Sequence, residues 1–157
     1  MANTMRWRYG DTNPIVLPVD SASVIEIGDL VYLDTDDAKP ASAQDDQLTE
    51  AANQELFHDN FAGVAMQSSR SGDTDAIRIA TTGVFEFECL SATFEVGDLV
   101  GVDEATSGTE LEDQTVASVS TANLAAGRCA KRVSTAATRV LVDVVSTVLR
   151  GGPQDPV

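Results

Sequence analysis

Short runs of apolar and β-branched residues, separated by clusters of Gly, Asp, Asn and Ser, recur along most of the chain. This alternation of apolar runs and turn residues is typical of a β protein. It predicts strands near residues 15–19, 24–27, 30–34, 62–66, 76–80, 83–89, 92–96, 98–102, 115–120, 127–133 and 139–149. We therefore expect a mainly β fold in which most of the chain forms one compact domain.

The clearest period-two pattern lies at residues 85–89, where Phe85, Phe87 and Cys89 alternate with Glu86 and Glu88. Successive side chains of a strand point to opposite faces, so this strand should have one face on the core and one face in water. The same rule extends to the other predicted strands. It predicts a core containing Leu30, Val64, Ile77, Ile79, Phe85, Phe87, Phe94, Leu99, Val140, Val142 and Val144.

A second stripe of Val140, Val142 and Val144 lies in the last predicted strand. Its reverse face also carries apolar residues, Leu141 and Val145, around one aspartate. We expect both faces of this strand to be covered.

One segment departs from the β pattern. Residues 43–61 contain helix-favouring residues with no Gly or Pro, which predicts a short helix or an ordered loop within residues 44–58, with Asp45 or Asp46 as its cap. Outside the β domain, assigned to residues 15–149, we expect an extended N-terminal arm over 1–14. A flexible tail is expected over 150–157, because two Gly and two Pro occur in its eight residues.

A ten-residue segment, 25–34, is echoed at 94–103 with six identities, including a Gly-Asp pair followed by Leu-Val. Gly accepts a positive φ and Asp bonds the local backbone, so each copy should form a tight turn that leads into a strand. The echo has two interpretations. One is a barrel or sandwich with partial internal symmetry, and the other is the repeated use of one turn chemistry.

The net charge is −15 at pH 7, from 10 basic and 25 acidic residues. Binding to phosphate backbones needs clustered Lys and Arg, so nucleic acid and anionic membranes are not expected partners. No apolar run approaches the roughly 20 residues of a membrane span, and the first residues lack the apolar stretch of a signal peptide. We expect a protein that stays where it is made.

Motifs for catalysis, metals and cofactors are missing from the sequence. Residues 34–45 begin like a calcium loop but have Lys39 at the position of its glycine and Asp45 at that of its glutamate. His58 lies in a polar stretch without a nucleophile motif and is expected at the surface or a helix end. Cys89 is expected in the core, and Cys129, near Arg128, is the better candidate for a reactive thiol, although core packing is favoured for it too. We predict no enzymatic activity and no cofactor or metal.

One segment fits a binding role. Arg6, Trp7, Arg8 and Tyr9 include the only Trp and one of the two Tyr residues. Trp, Tyr and Arg are the residues most enriched at interface hot spots, so we predict that these four residues contact a partner from an arm that lies off its own domain. The alternative is that Trp7 folds back onto the core of its own chain.

Several motifs, in order, resemble those of a family of tailed-phage and prophage capsid decoration, or cement, proteins that was formerly a domain of unknown function. The motifs are Phe61-Ala62-Gly63-Val64-Ala65, Ile79-Ala80-Thr81-Thr82-Gly83-Val84-Phe85-Glu86-Phe87, Ala92-Thr93-Phe94-Glu95-Val96-Gly97-Asp98-Leu99-Val100-Gly101, Ala126-Gly127-Arg128-Cys129-Ala130 and Thr138-Arg139-Val140-Leu141-Val142-Asp143-Val144. Together they cover roughly residues 15–149.

The resemblance implies a β-tulip or barrel-like domain without enzymatic activity. It also implies homotrimers on the outer surface of the capsid, where each trimer bridges adjacent major capsid protein subunits and stabilises the virion. The protein would be made in the host cytoplasm. Alternatives are a soluble β-barrel that binds a small ligand, another virion component such as a head-fibre base, and an enzyme with unrecognised acidic catalysis.

Overall fold

A computed structural model describes residues 3–155 and contains eleven strands and two α-helices in that range. The strands are β1 (Trp7–Tyr9), β2 (Ile15–Leu17), β3 (Leu30–Asp34), β4 (Asp37–Pro40), β5 (Phe61–Ala65), β6 (Ile77–Ala80), β7 (Thr82–Phe94), β8 (Leu99–Glu104), β9 (Leu111–Ser118), β10 (Gly127–Cys129) and β11 (Val133–Val145). The helices are α1 (Glu50–Asn60) and α2 (Thr147–Arg150), and two 3-10 turns span Ala41–Ala43 and Ala122–Leu124. The predicted mainly β class is confirmed.

The strands form two sheets, and one of them closes into a barrel. The larger sheet has the order β1-β7-β11-β10-β8-β9, and a parallel pairing of β9 with β7 closes its last five strands into a ring. The smaller sheet has the order β2-β6-β5-β3-β4. Its two edges approach each other where the Ala38 N–H donates to the Pro18 carbonyl at 2.9 Å. The predicted barrel-like fold is therefore present.

The two sheets repeat one arrangement. If each strand of the order β2-β6-β5-β3-β4 is replaced by the strand five places later in the chain, the result is the order of the closed barrel, β7-β11-β10-β8-β9. Helix α1 precedes β5, and the 3-10 turn Ala122–Leu124 precedes β10, its counterpart. The structure thus contains the same five-strand unit twice, as the symmetric interpretation of the sequence echo predicts.

The two echoed segments have the same turn. In each copy the Asp side chain accepts a hydrogen bond from the backbone of the residue three places earlier, Asp29 from Glu26 at 2.9 Å and Asp98 from Glu95 at 2.8 Å. Gly28 and Gly97 take φ values of +98° and +93°, which favour glycine. Each turn leads directly into the strand that follows, β3 or β8.

The core confirms most of the predicted burial. Ten of the eleven predicted core residues are buried, and Leu99 is only partly buried because the next residue along β8, Val100, points inward instead. One apolar cluster joins the inside of the closed barrel to α1 and to residues of the first unit, so a continuous core links both units. The reverse face of β11 is less covered than predicted, since Asp143 is exposed there.

Several predicted elements were wrong. Residues 24–27 are not a strand, because Ile25 makes only a single bridge with Ser69. The end of the last predicted strand, 147–149, lies instead in the helix α2, and β1 and β4 were not predicted. The helix inside 44–58 begins later than expected, and its cap is Thr49, whose hydroxyl accepts from the Ala52 N–H at 3.1 Å.

The predicted arm and tail are both attached to the domain in the described residues. Strand β1 pairs with β7, which contradicts an arm that lies off its own domain. In the tail, the Gly152 N–H donates to the Ser146 carbonyl at 3.1 Å and Arg128 donates to the Gln154 carbonyl. Gly152 and Pro153 are buried, so the flexible tail is also corrected over 150–155. The remaining arm and tail predictions, for residues 1–2 and 156–157, lie outside the described residues.

Candidate functional site

Backbone hydrogen bonds attach the N-terminal segment to both units. Thr4 N–H donates to the Ile27 carbonyl at 2.8 Å, and the Arg6 carbonyl accepts from Glu86 N–H at 2.9 Å. Strand β1 then runs antiparallel to β7, with Trp7 opposite Phe85. Three of the four side chains predicted to bind a partner therefore lie on a strand that is paired with β7, and Arg6 directly precedes it.

Arg6 is buried, with 6% of its surface exposed. Its Nε donates to Gln114 Oε1 at 2.7 Å and its Nη1 donates to the Glu86 carbonyl at 3.1 Å. Gln114, itself buried, donates from Nε2 to Asp29 Oδ1 at 2.8 Å. Burial raises the pKa of Asp29 to about 6 and lowers the pKa of Arg6. Arg6 is therefore bound within its own chain, and the sequence had placed it at the surface.

The two aromatic side chains of β1 remain half exposed. Trp7 is 40% exposed and Tyr9 is 51% exposed. The indole Nε1 of Trp7 donates to the Gly10 carbonyl at 3.0 Å, and its ring lies beside Gly83, where an added Cβ would meet Trp7 Cδ1 at 3.5 Å. Trp7 thus contacts its own domain and still presents part of its ring to solvent.

Arg8 lies on the outer face of the barrel, where it and Arg139 contact the same carboxylate, that of Glu86. Its Nη2 is 3.2 Å from Glu86 Oε1, and Nη1 of Arg139 on β11 is 3.5 Å from the same oxygen. Because one carboxylate faces two guanidinium groups, this face keeps an excess of positive charge.

The excess of positive charge continues into a groove of about 350 Å³ beside the middle of β11. We call this the cationic groove; its charged lining residues are Glu86, Lys131, Arg132 and Arg139. Arg132 also contacts Glu95 at 2.9 Å, and both of these side chains are largely exposed. The groove is therefore a cationic surface on a chain whose net charge is −15.

The sequence itself contains a signal for this groove, which the net charge of the whole chain hides. Residues 114–142 include four of the ten basic residues and no Asp or Glu. Three of the four, Lys131, Arg132 and Arg139, line the groove, whereas Arg128 donates to the Gly97 and Gln154 carbonyls. Charge counted in windows along the chain, and not over the whole chain, identifies the region.

A second, polar cleft of about 340 Å³ lies between the β3–β4 hairpin and α1. Tyr32, Lys39 and Gln44 are among its lining residues. Gln44 is buried, and its Nε2 donates to the Asn53 carbonyl at 2.8 Å. Within residues 3–155 its Oε1 has no hydrogen-bond partner, and this atom has almost no surface open to the cleft.

The side chains that could take part in a reaction or bind a metal do not come together in one site. His58 lies in the last turn of α1 and its Nδ1 is 2.8 Å from the Ala125 carbonyl. Cys89 and Cys129 are buried free thiols whose pKa values burial raises, so the predicted core packing of both is confirmed.

Among residues 3–155, no cluster of three or more His, Cys, Asp or Glu side chains forms a metal site. In the same range no helix is long and apolar enough to cross a membrane.

Comparisons with protein-family models and with curated proteins identify no relative of this chain. No protein-family model matches the sequence, and a search of curated proteins finds none similar to it. The resemblance to capsid decoration proteins therefore stays a prediction that rests on the quoted motifs.

Proposed function

We propose that this protein is a structural component of a tailed-phage virion that decorates the outer surface of the capsid. In this role it binds adjacent subunits of the major capsid protein as a homotrimer and stabilises the shell. It needs no cofactor and catalyses no reaction.

The observation that carries the proposal is the exposed aromatic pair Trp7 and Tyr9 on a strand fixed to a closed barrel. Half-exposed aromatic rings on a rigid support lose little conformational entropy on binding, which is typical of hot-spot residues. Arg6 fixes the start of this strand through its buried bond to Gln114. The exposure of the two rings on this attached strand supports the proposal that they contact a partner.

A shell-binding role also agrees with the charge. A decoration protein lies outside the shell, away from the packaged DNA, and an acidic surface does not compete for phosphate backbones. Many weak contacts per particle add up through multivalency, so no single contact has to be strong.

The test uses capsids stripped of this protein and then redecorated. Wild-type protein should raise the temperature at which the particles release their DNA, and Trp7→Ala should weaken binding because a buried Trp contributes about 2 kcal/mol or more per copy. Leu48→Ala is the matched control, since Leu48 is an exposed apolar residue outside β1. Equal heat resistance of stripped and decorated particles would contradict the proposal.

The polar cleft favours a second candidate function, a binding module for a small polar ligand. Lys39 offers a donor and Asp45 offers an acceptor in its lining, which suits a ligand that has both groups. A panel of small metabolites screened by thermal melting tests this function. A shift in the wild type that Asp45→Ala abolishes would favour it over the structural role.

A further inference from the structure

We propose that the cationic groove of one copy of this chain binds an acidic surface on a second copy, so that the copies join head to tail. This proposal rests on the homotrimer of the proposed function and names the two surfaces that form it.

The acidic surface lies around the connection from β8 to β9. Residues 103–113 contain five acidic residues and no Lys or Arg. Residues 106–110 are exposed, and Glu88, Glu110, Glu112 and Asp113 line one depression of about 450 Å³. We call this depression the acidic surface.

The acidic surface has too few cations of its own. Within residues 3–155, the only ion pair of its four carboxylates joins Glu88 to Arg6 at 3.9 Å, a distance at the limit for such a contact. Nearby, the carboxylates of Glu50 and Glu112 reinforce the effect of burial in raising the pKa of Asp103. Cations from a second copy would lower this repulsion, and the cationic groove has Lys131, Arg132 and Arg139 to supply them.

The positions of the two surfaces bear on the symmetry of the contact. The cationic groove lies along β11 and the acidic surface along β9, and these strands flank β7 on opposite sides in the closed barrel. A two-fold axis through either surface would place like charges together, which is unfavourable. When the groove of each copy contacts the acidic surface of the next copy only, the contact is heterologous, and such contacts form a closed ring when the rotation between copies closes. A two-fold axis between the surfaces would pair them reciprocally, so a dimer in sedimentation velocity, in place of a trimer, would overturn the head-to-tail contact.

The chain offers a specific chemical probe. It has only two lysines, Lys39 and Lys131, and a carbodiimide joins a lysine amine to a neighbouring carboxylate as an amide. In an equal mixture of isotopically labelled and unlabelled full-length protein, we expect mixed-label peptides that join Lys131 to carboxylates in residues 103–113. Lys39 is 2.8 Å from Asp34 in its own chain, so that link should carry one label only and serves as the internal control.

Charge reversal tests the same contact without cross-linking. Lys131→Glu with Arg132→Glu should weaken self-association at low salt by about tenfold or more, and Glu110→Lys with Glu112→Lys should do the same. The four changes combined restore opposite charges and should restore association. Lys131→Arg, which keeps the charge, should associate normally and lose the cross-link. Sedimentation velocity measures association, and thermal melting confirms that each variant is folded.

The outcomes separate this inference from the function itself, because the experiments use no shell. A protein that stays monomeric at low salt without a mixed-label Lys131 link overturns the inference, as does association that both reversals leave unchanged. Restoration by the combined variant supports it. If the trimer forms this way and the protein is missing from virions, the inference stands and the decoration role fails.

Discussion

Arg6→Ala should destabilise the fold, although the sequence suggested a side chain on a free arm. The guanidinium is buried, and it joins the N-terminal segment to Gln114 on β9 and to the backbone of β7. Removal of the side chain removes the two hydrogen bonds that Arg6 donates, to the Oε1 of Gln114 and to the carbonyl of Glu86.

The structure sets the size of the effect. The loss of a buried hydrogen bond from a charged donor costs about 1.5–3 kcal/mol, and the loss of the aliphatic stem adds to this. The contact of Arg6 with Glu88 adds little, because it spans 3.9 Å and Glu88 is 44% exposed. We expect a loss of about 3 kcal/mol in the free energy of unfolding, which corresponds to a Tm about 6–12 °C lower for a chain of this length.

Urea unfolding followed by circular dichroism measures this loss, and Arg8→Ala is the matched control. Arg8 is two residues away, in β1, but it is 39% exposed and its carboxylate contact lies at the surface, so its loss should be about 0.5 kcal/mol or less. An Arg6→Ala variant as stable as Arg8→Ala would refute the buried network. Deletion of residues 2–10 should likewise destabilise the domain, because it removes β1 as well.

Three further results are expected. Burial raises the pKa of Asp29 and Asp103 to about 6 from 3.8. Their stabilising contribution is therefore full below about pH 4 and is lost as the pH rises through about 6. The free energy of unfolding should fall across that pH window, and Asp103→Asn should make this fall smaller. Gly28→Ala should lower the free energy of unfolding, measured by chemical denaturation, more than Gly97→Ala does. Both glycines have positive φ, but only the new Cβ at position 28 would clash with the Thr4 carbonyl oxygen. Equal losses would contradict the packing of the N-terminal segment. Both buried thiols should react with a thiol reagent only after unfolding, and rapid labelling of the native protein would contradict their burial.

Local patterns in the sequence were enough to predict the fold class and much of the core. The alternation at Phe85 and Phe87 identified a half-buried strand, and the repeated Gly-Asp turns allowed a duplication as one of two interpretations. These features depend on neighbouring residues, whose geometry the chain fixes locally. Strand β4 was missed because its sequence, Asp37–Pro40, is polar and short and becomes a strand only by pairing with β3.

The interaction surface depended on contacts between distant residues, which a single sequence does not display. Arg6 resembles a surface residue until Gln114, 108 positions away, accepts its hydrogen bond. Arg8 and Arg139 likewise meet only because β1 and β11 both lie near Glu86 on β7. The prediction of exposed aromatic residues needed no such contact, and the exposure of Trp7 and Tyr9 agrees with it.

The most direct test of the decoration role is quantitative mass spectrometry of purified virions. The measured quantity is the number of copies of this protein relative to the major capsid protein. A structural protein at the three-fold positions of the shell should be present in a fixed, high ratio, three copies for each occupied position. Absence from purified particles, or only a few copies per particle as in a tail component, would contradict the role.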